Sequence, residues 1–139
     1  MLQKVYIRHL PNKIGETVEL AGWVTRVRSS GKVAFMQFRD GTGFIQIVAG
    51  VQDVSPQDFE TIRRLTHETS VRVTAEVVKS EKAPTGIELL AKHVEVVSET
   101  HDYPITPKEH GTDFLMDLRH LWIRSPRQHA ILTIRHQII

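Results

Sequence analysis

The apolar positions in residues 17–50, TVELAGWVTRVRSSGKVAFMQFRDGTGFIQIVAG, fall into three short runs separated by small polar residues. Residues 17–28 are rich in Val, Leu, Trp and Thr, and Ser29, Ser30 and Gly31 break them off. Residues 33–39 and 44–49 follow, divided by the turn Asp40-Gly41-Thr42-Gly43. β-Rich runs punctuated by Gly, Asp and Ser predict an antiparallel meander. Alternation then sorts the faces, because successive strand side chains point to opposite sides. Ala34, Met36 and Phe38 form one wholly apolar set, and Ile45, Ile47 and Ala49 another. These are the expected core. The opposite sets are Val33, Phe35 and Gln37 in the second run, and Phe44, Gln46 and Val48 in the third.

The pattern continues downstream. Ser55-Pro56-Gln57-Asp58 predicts a helix start, with Ser as N-cap, Pro in the first turn and Asp three residues after the cap. Val54, Phe59, Ile62 and Leu65 give that helix one apolar face. Residues 70–78 and 87–97 predict a fourth and a fifth strand across a polar loop at 79–86. The order β-β-β-α-β-β predicts an all-β fold, the five-stranded Greek-key OB barrel with one helix between strands three and four. Gly22 inside the first run suits the bend such a barrel needs. Before the barrel, Val5, Ile7 and Leu10 can pack, and Pro11-Asn12-Lys13 makes a turn.

Residues 98–116 carry Pro104, Pro107 and Gly111 with no steady period and predict an extended linker. Residues 117–124 are short and mix apolar with charged positions. Ser125-Pro126 repeats the cap signal, and Ala130, Ile131, Ile134 and Ile138 share one helical face. No stop signal closes this helix. The expected organisation is a barrel domain at 1–98, a linker or hinge at 99–124, and a truncated helix at 125–139 that belongs to the next domain of a longer protein.

Composition narrows the function only a little. A chain of 139 residues, 40% hydrophobic and 24% charged, suits one globular domain with an appendage. Its 18 Lys and Arg against 16 Asp and Glu leave a net charge of +2, a weak pointer to nucleic acid, so the position of the charges matters more than their total. Cysteine is absent, which excludes disulfides and thiolate metal sites, and the eight histidines form no ligand-like cluster. No apolar run reaches the roughly 18 residues that span a membrane, and the N-terminus lacks a signal-peptide core. A soluble intracellular protein is expected.

One cluster carries chemistry. Phe35 and Gln46 share the mixed face near Arg26 and Arg28. A ring to stack on, an amide to read an edge and guanidiniums for phosphates suit a single-stranded base. A lone exposed Phe and a solvated Gln on a strand are equally ordinary.

The run GWVTRVRSSGKVAFMQFRDGTGFIQ resembles the anticodon-binding domain of class IIb aminoacyl-tRNA synthetases, shared by the aspartyl, asparaginyl and lysyl enzymes. YPITPKEHGTDFLMDLRHLWIRSPRQ resembles the asparaginyl branch, since aspartyl members usually lack the Lys108-Glu109-His110-Gly111 run. The resemblance implies roles. Phe35 would stack on the central anticodon uracil and Gln46 would bond its edge. Arg28 would reach the same base or its phosphate, with Arg26 beside it. Glu88 would accept the two donors of a guanine or queuine at the first position. Lys82 would lie near the outer bases. Val48 departs from relatives that carry an aromatic there.

The resemblance further implies a cytoplasmic, homodimeric parent that uses ATP and Mg²⁺ to attach asparagine to its tRNA. This chain stops within motif one, lacks motifs two and three and has no glycine-rich phosphate loop. It is expected to need no cofactor, to show no ligase activity alone and to self-associate weakly or not at all. The alternatives are the same domain of a non-discriminating aspartyl enzyme, a general single-strand-binding OB module, and a structural or dimerisation unit. Trp23 reads as packing, Arg39-Asp40 as fixing the turn, and Arg119 and Arg124 as hinge residues or tRNA contacts.

Overall fold

In the computed structural model, which describes residues 4–139, strand β1 (Thr17–Ser30) runs on through Ser29 and Ser30. The apolar pattern predicts an end at Arg28, two residues sooner. Gly31 and Lys32 alone make the turn into β2 (Val33–Asp40), so Ser30 pairs with Val33 and Ser29 with Ala34. Gly31 has a φ of 57°, the left-handed backbone that a two-residue hairpin loop requires. Strand β3 (Gly43–Gly50) completes the meander. Both predicted core sets are buried: Ala34, Met36 and Phe38 from β2, and Ile45, Ile47 and Ala49 from β3.

Helix α1 (Pro56–Arg64) follows, and the Ser55 hydroxyl accepts from the Asp58 N–H at 3.0 Å, as the cap signal predicts. Val54, Phe59 and Ile62 are buried, and Leu65 packs against them. Strands β4 (Ser70–Lys79) and β5 (Ile87–Ser98) finish a closed barrel ordered β1-β2-β3-β5-β4. All pairings are antiparallel except β3 with β5, where Ile47 stands against Leu89 and Val48 against Leu90.

Two features of β1 shape the barrel. A Cβ on Gly22 would lie 2.2 Å from the Arg39 carbonyl oxygen and 2.7 Å from Phe38 Cζ, so only glycine allows the strands to approach this closely. Beyond it, Val24 pairs with Phe38 but Arg26 pairs with Gln37, which leaves Thr25 as the extra residue of a β-bulge. Val18, Leu20 and Val24 point inward before the bulge. After it the parity is reversed: Val27 packs on the core while Arg26 and Arg28 are exposed.

The Asp40 carboxylate ties the β2–β3 turn together. One oxygen accepts from the Thr42 N–H (2.6 Å), the Thr42 hydroxyl (2.7 Å) and the Gly43 N–H (3.1 Å), and the other from the Ile7 N–H at 2.8 Å. Ile7 opens a 3-10 helical segment, Ile7–Asn12, whose Leu10 is fully buried. Asp40 therefore fixes both the turn and the lead-in, in keeping with its structural reading.

The first compact unit ends at His101, and Asp102–Ile139 forms a second. Within the second, the stretch expected to be an extended linker turns helical at α2 (Thr112–Asp117) and α3 (Arg119–Trp122). Leu115, Met116 and Leu121 are good helix formers, and the two Pro residues that argued for extension precede both helices. Helix α4 (Pro126–Ile138) starts after Ser125 as predicted, but the Ser125 side chain makes no cap bond. Its hydroxyl is buried without a partner, unlike that of Ser55. Ile131, Ile134 and Ile138 on α4 are exposed.

Candidate nucleic-acid interface

The outer face of β1, β2 and β3 is organised in rows. Arg28 stands opposite Phe35, Phe35 opposite Val48, and Val48 opposite Leu90. The next row runs from Arg26 to Gln37 to Gln46. The bulge at Thr25 brings the two arginines into these rows, since unbroken alternation from Val18 would turn them toward the core. The sequence does carry that signal, in the three-residue step from Val24 to Val27.

Arg28, Ser29, Ser30, Phe35 and Gln46 line a shallow hollow of about 380 Å³. The strand thus extends past Arg28 to give the hollow a hydroxyl rim that the pattern reading, with its break at Ser29, did not include. Phe35 is half-buried, with part of its ring open to solvent. Among the described residues, Arg72 is held by Glu95 at 2.7 Å and Arg63 by Glu60 at 2.8 Å, whereas Arg26 and Arg28 take part in no ion pair. Arg28 stands beside Phe35 in the hollow, whereas Arg26 does not line it and stands one row away, opposite Gln37.

Gln46 has a defined partner. Its Nε2 donates to Glu88 Oε1 at 2.8 Å, across 42 positions of sequence. Glu88 lies on β5, next to the parallel pairing of Ile47 with Leu89. A carboxylate only accepts, so this bond sets which way the amide lies: nitrogen toward Glu88, carbonyl oxygen away from it. The structure thus joins two candidate residues that the sequence placed only on separate strands.

Lys82 is exposed in the β4–β5 loop. The loop is closed by its own backbone bonds, Ser80 N–H to Gly86 O at 3.0 Å and Gly86 N–H to Ala83 O at 2.9 Å. Its Ala83, Pro84 and Thr85 meet Gln37, Phe44 and Gln46 around a second hollow of about 220 Å³. Phe44 is 47% exposed there. Alternation places it with Gln46, yet nothing in its immediate sequence marks it as more than a strand residue.

The other arginines singled out in the sequence have partners within their own units. Arg39 is buried, donates to the Glu68 carboxylate and lies with its guanidinium 5.2 Å from the centre of the Trp23 ring. Trp23 thus packs, as its reading expects, whereas Arg39 does not fix the turn: its guanidinium is held by Glu68 and lies against Trp23, and of the two residues Asp40 alone ties the turn. Arg119 donates to the Met116 carbonyl oxygen at 2.9 Å, and Arg124 lies 5.9 Å from the Tyr103 ring centre. Among the described residues no group of three or more His, Asp or Glu is placed to hold a metal ion, and no helix is long and apolar enough to cross a membrane.

The chain is similar to known proteins over most of its length. The asparagine–tRNA ligase of Symbiobacterium thermophilum is 53% identical over 134 residues, 96% of this chain and 31% of that protein. The asparaginyl-tRNA synthetase of Pyrococcus horikoshii superposes with a TM-score of 0.89 at 36% identity, over 98% of this chain and 33% of the other. A putative aspartyl-tRNA synthetase of Leishmania major gives a TM-score of 0.80 at 26% identity, over 89% of this chain and 28% of the other. The chain thus spans about a third of the length of these relatives. Residues 18–97, all of the barrel but its first and last residues, match the tRNA anti-codon model of OB-fold nucleic acid binding domains. With a closed five-stranded barrel, an aromatic–amide–arginine hollow on its outer face and a family match over most of the chain, this protein belongs to the OB-fold nucleic acid binding domains of the tRNA anti-codon family.

Proposed function

We propose that this chain reads the anticodon loop of an asparagine tRNA as part of an asparagine–tRNA ligase. The observation that supports this best is the gathering of Arg28, Phe35 and Gln46 around one hollow. Phe35 offers its ring to the central base. Gln46 meets that base's edge, with its carbonyl oxygen accepting from uracil N3–H and its second amide hydrogen donating to O4. Arg28 and Arg26 hold the flanking phosphates, and single-strand recognition of this kind joins stacking to a basic track. Glu88 spends one oxygen on Gln46. Its other oxygen accepts from a guanine at the first position. Lys82 adds charge near the outer bases from its exposed loop.

In the whole ligase, residues 125–139 begin the motif-one helix of a catalytic domain that supplies the ATP and Mg²⁺ chemistry and the homodimer contact, in the cytoplasm. The part played by this chain is recognition: three splayed bases are held by a stack, edge bonds and phosphate contacts. The 53% identity to an asparagine–tRNA ligase favours asparagine over aspartate as the amino acid.

Competition binding tests the reading. An anticodon stem-loop of asparagine tRNA is expected to outcompete the same stem with a scrambled loop. Equal competition by both would reduce the barrel to a general single-strand binder, and no binding by either would leave a structural role. Pyrophosphate exchange with asparagine and ATP is expected to stay at the no-protein background.

A further inference from the structure

The contact between Gln46 and Glu88 has a consequence for base choice. A glutamine amide is nearly symmetric in shape but not in hydrogen bonding. One orientation complements uracil, which offers an acceptor at O4 and a donor at N3. The flipped orientation complements cytosine, which offers a donor at N4 and an acceptor at N3. An unrestrained Gln at this position could serve either pyrimidine by rotating half a turn about its last bond. The bond from Gln46 Nε2 to Glu88 Oε1 removes that freedom, because a carboxylate cannot donate to the amide oxygen. Flipping would set two acceptors against each other in a half-buried position.

We infer that Glu88 is a positioning residue that locks the Gln46 amide in its uracil-reading orientation, so that discrimination between uracil and cytosine at the central base is set from β5. This rests on the proposal that the Phe35 hollow takes the central anticodon base. It adds a duty for Glu88 beyond contact with the first base. The two positions are then read by one hydrogen-bonded unit, and a change in Glu88 alters the choice made one nucleotide away.

Glu88→Gln tests the lock, because it keeps the shape and removes only the restriction. An amide at position 88 either accepts from Gln46 or donates to it, so both orientations of Gln46 become available. The measurement is the affinity of the full chain for two stem-loops that differ only in uracil or cytosine at the central position. The wild-type chain is expected to prefer uracil. In Glu88→Gln that preference should fall about tenfold, within the range one bidentate base contact commands. Most of the change should come from tighter binding of the cytosine loop, which loss of a first-base contact would not produce. Glu88→Ala, which removes the partner altogether, should relax the preference too and guards against a fault peculiar to the first variant. Folding is followed by thermal melts.

If both variants fold and keep the wild-type uracil preference while weakening the two loops equally, Glu88 acts on the first base alone and the lock is wrong. If the wild-type chain binds the uracil and cytosine loops alike, the assignment of the hollow to the central base fails first.

Discussion

Arg39 and Glu68, 29 residues apart, form a buried ion pair on the outer side of the barrel, beneath the ring of Trp23. Removing one partner of such a pair leaves a buried charge uncompensated, at a cost of about 3–5 kcal/mol. Glu68→Ala and Arg39→Ala are each expected to lower stability by that order. The double variant should lose clearly less than the sum, because the second change removes the stranded charge. Denaturant unfolding of the four proteins checks this. Additive losses would mean the pair contributes nothing as a pair.

Phe35 and Phe38 stand three positions apart on opposite faces of β2. Phe35→Ala should weaken binding of the stem-loop by about 1–3 kcal/mol, the usual value of a base–aromatic stack, and leave the melt nearly unchanged. Phe38 is fully buried, so Phe38→Ala should destabilise the barrel by roughly 3–5 kcal/mol. Melts and titrations of both variants give the comparison. Unfolding by the first and weakened binding alone by the second would invert the recognition surface.

Arg26 and Arg28 differ from the other strand arginines in holding no carboxylate. If Arg26 neutralises a phosphate, Arg26→Ala should reduce the slope of log K against log salt by about 0.7, the value for one contact on a single strand. The loss should be similar for every loop sequence. An unchanged slope would remove Arg26 from the backbone track.

Much of this surface was legible because it is local. Residues 33–39 and 44–49 alternate strictly, and the period of two assigns Phe35, Gln46 and Phe38 their faces without knowledge of the fold. The Ser55 cap and the apolar stripe of α1 are equally local. What escaped the sequence crosses strands or breaks the period. The bulge at Thr25 shows only as a three-residue step between Val24 and Val27, easily taken for irregularity. The bond between Gln46 and Glu88 depends on how β5 meets β3, which no local pattern encodes. Ser125-Pro126 reads like Ser55-Pro56, yet its hydroxyl is buried without a partner, so the same cap signal has two outcomes. The helices at 112–122 were masked by the prolines ahead of them.

The parallel pairing of β3 with β5, two residue pairs long, is the shortest ladder among the described strands, and the contact between Gln46 and Glu88 lies beside it. Short ladders open most readily, and an anticodon loop bridging Phe35, Gln46 and Glu88 would bind only the closed form. By linkage, bound RNA then stabilises this seam in proportion to its concentration over the dissociation constant. Amide hydrogen exchange should show it. Backbone amides of β3 and β5 near Ile47 and Leu89 are expected to exchange more slowly with the stem-loop present, while those along the long β4–β5 ladder near Val94 change little. A ligand on this face would therefore also hold shut the shortest seam of a barrel that is already closed.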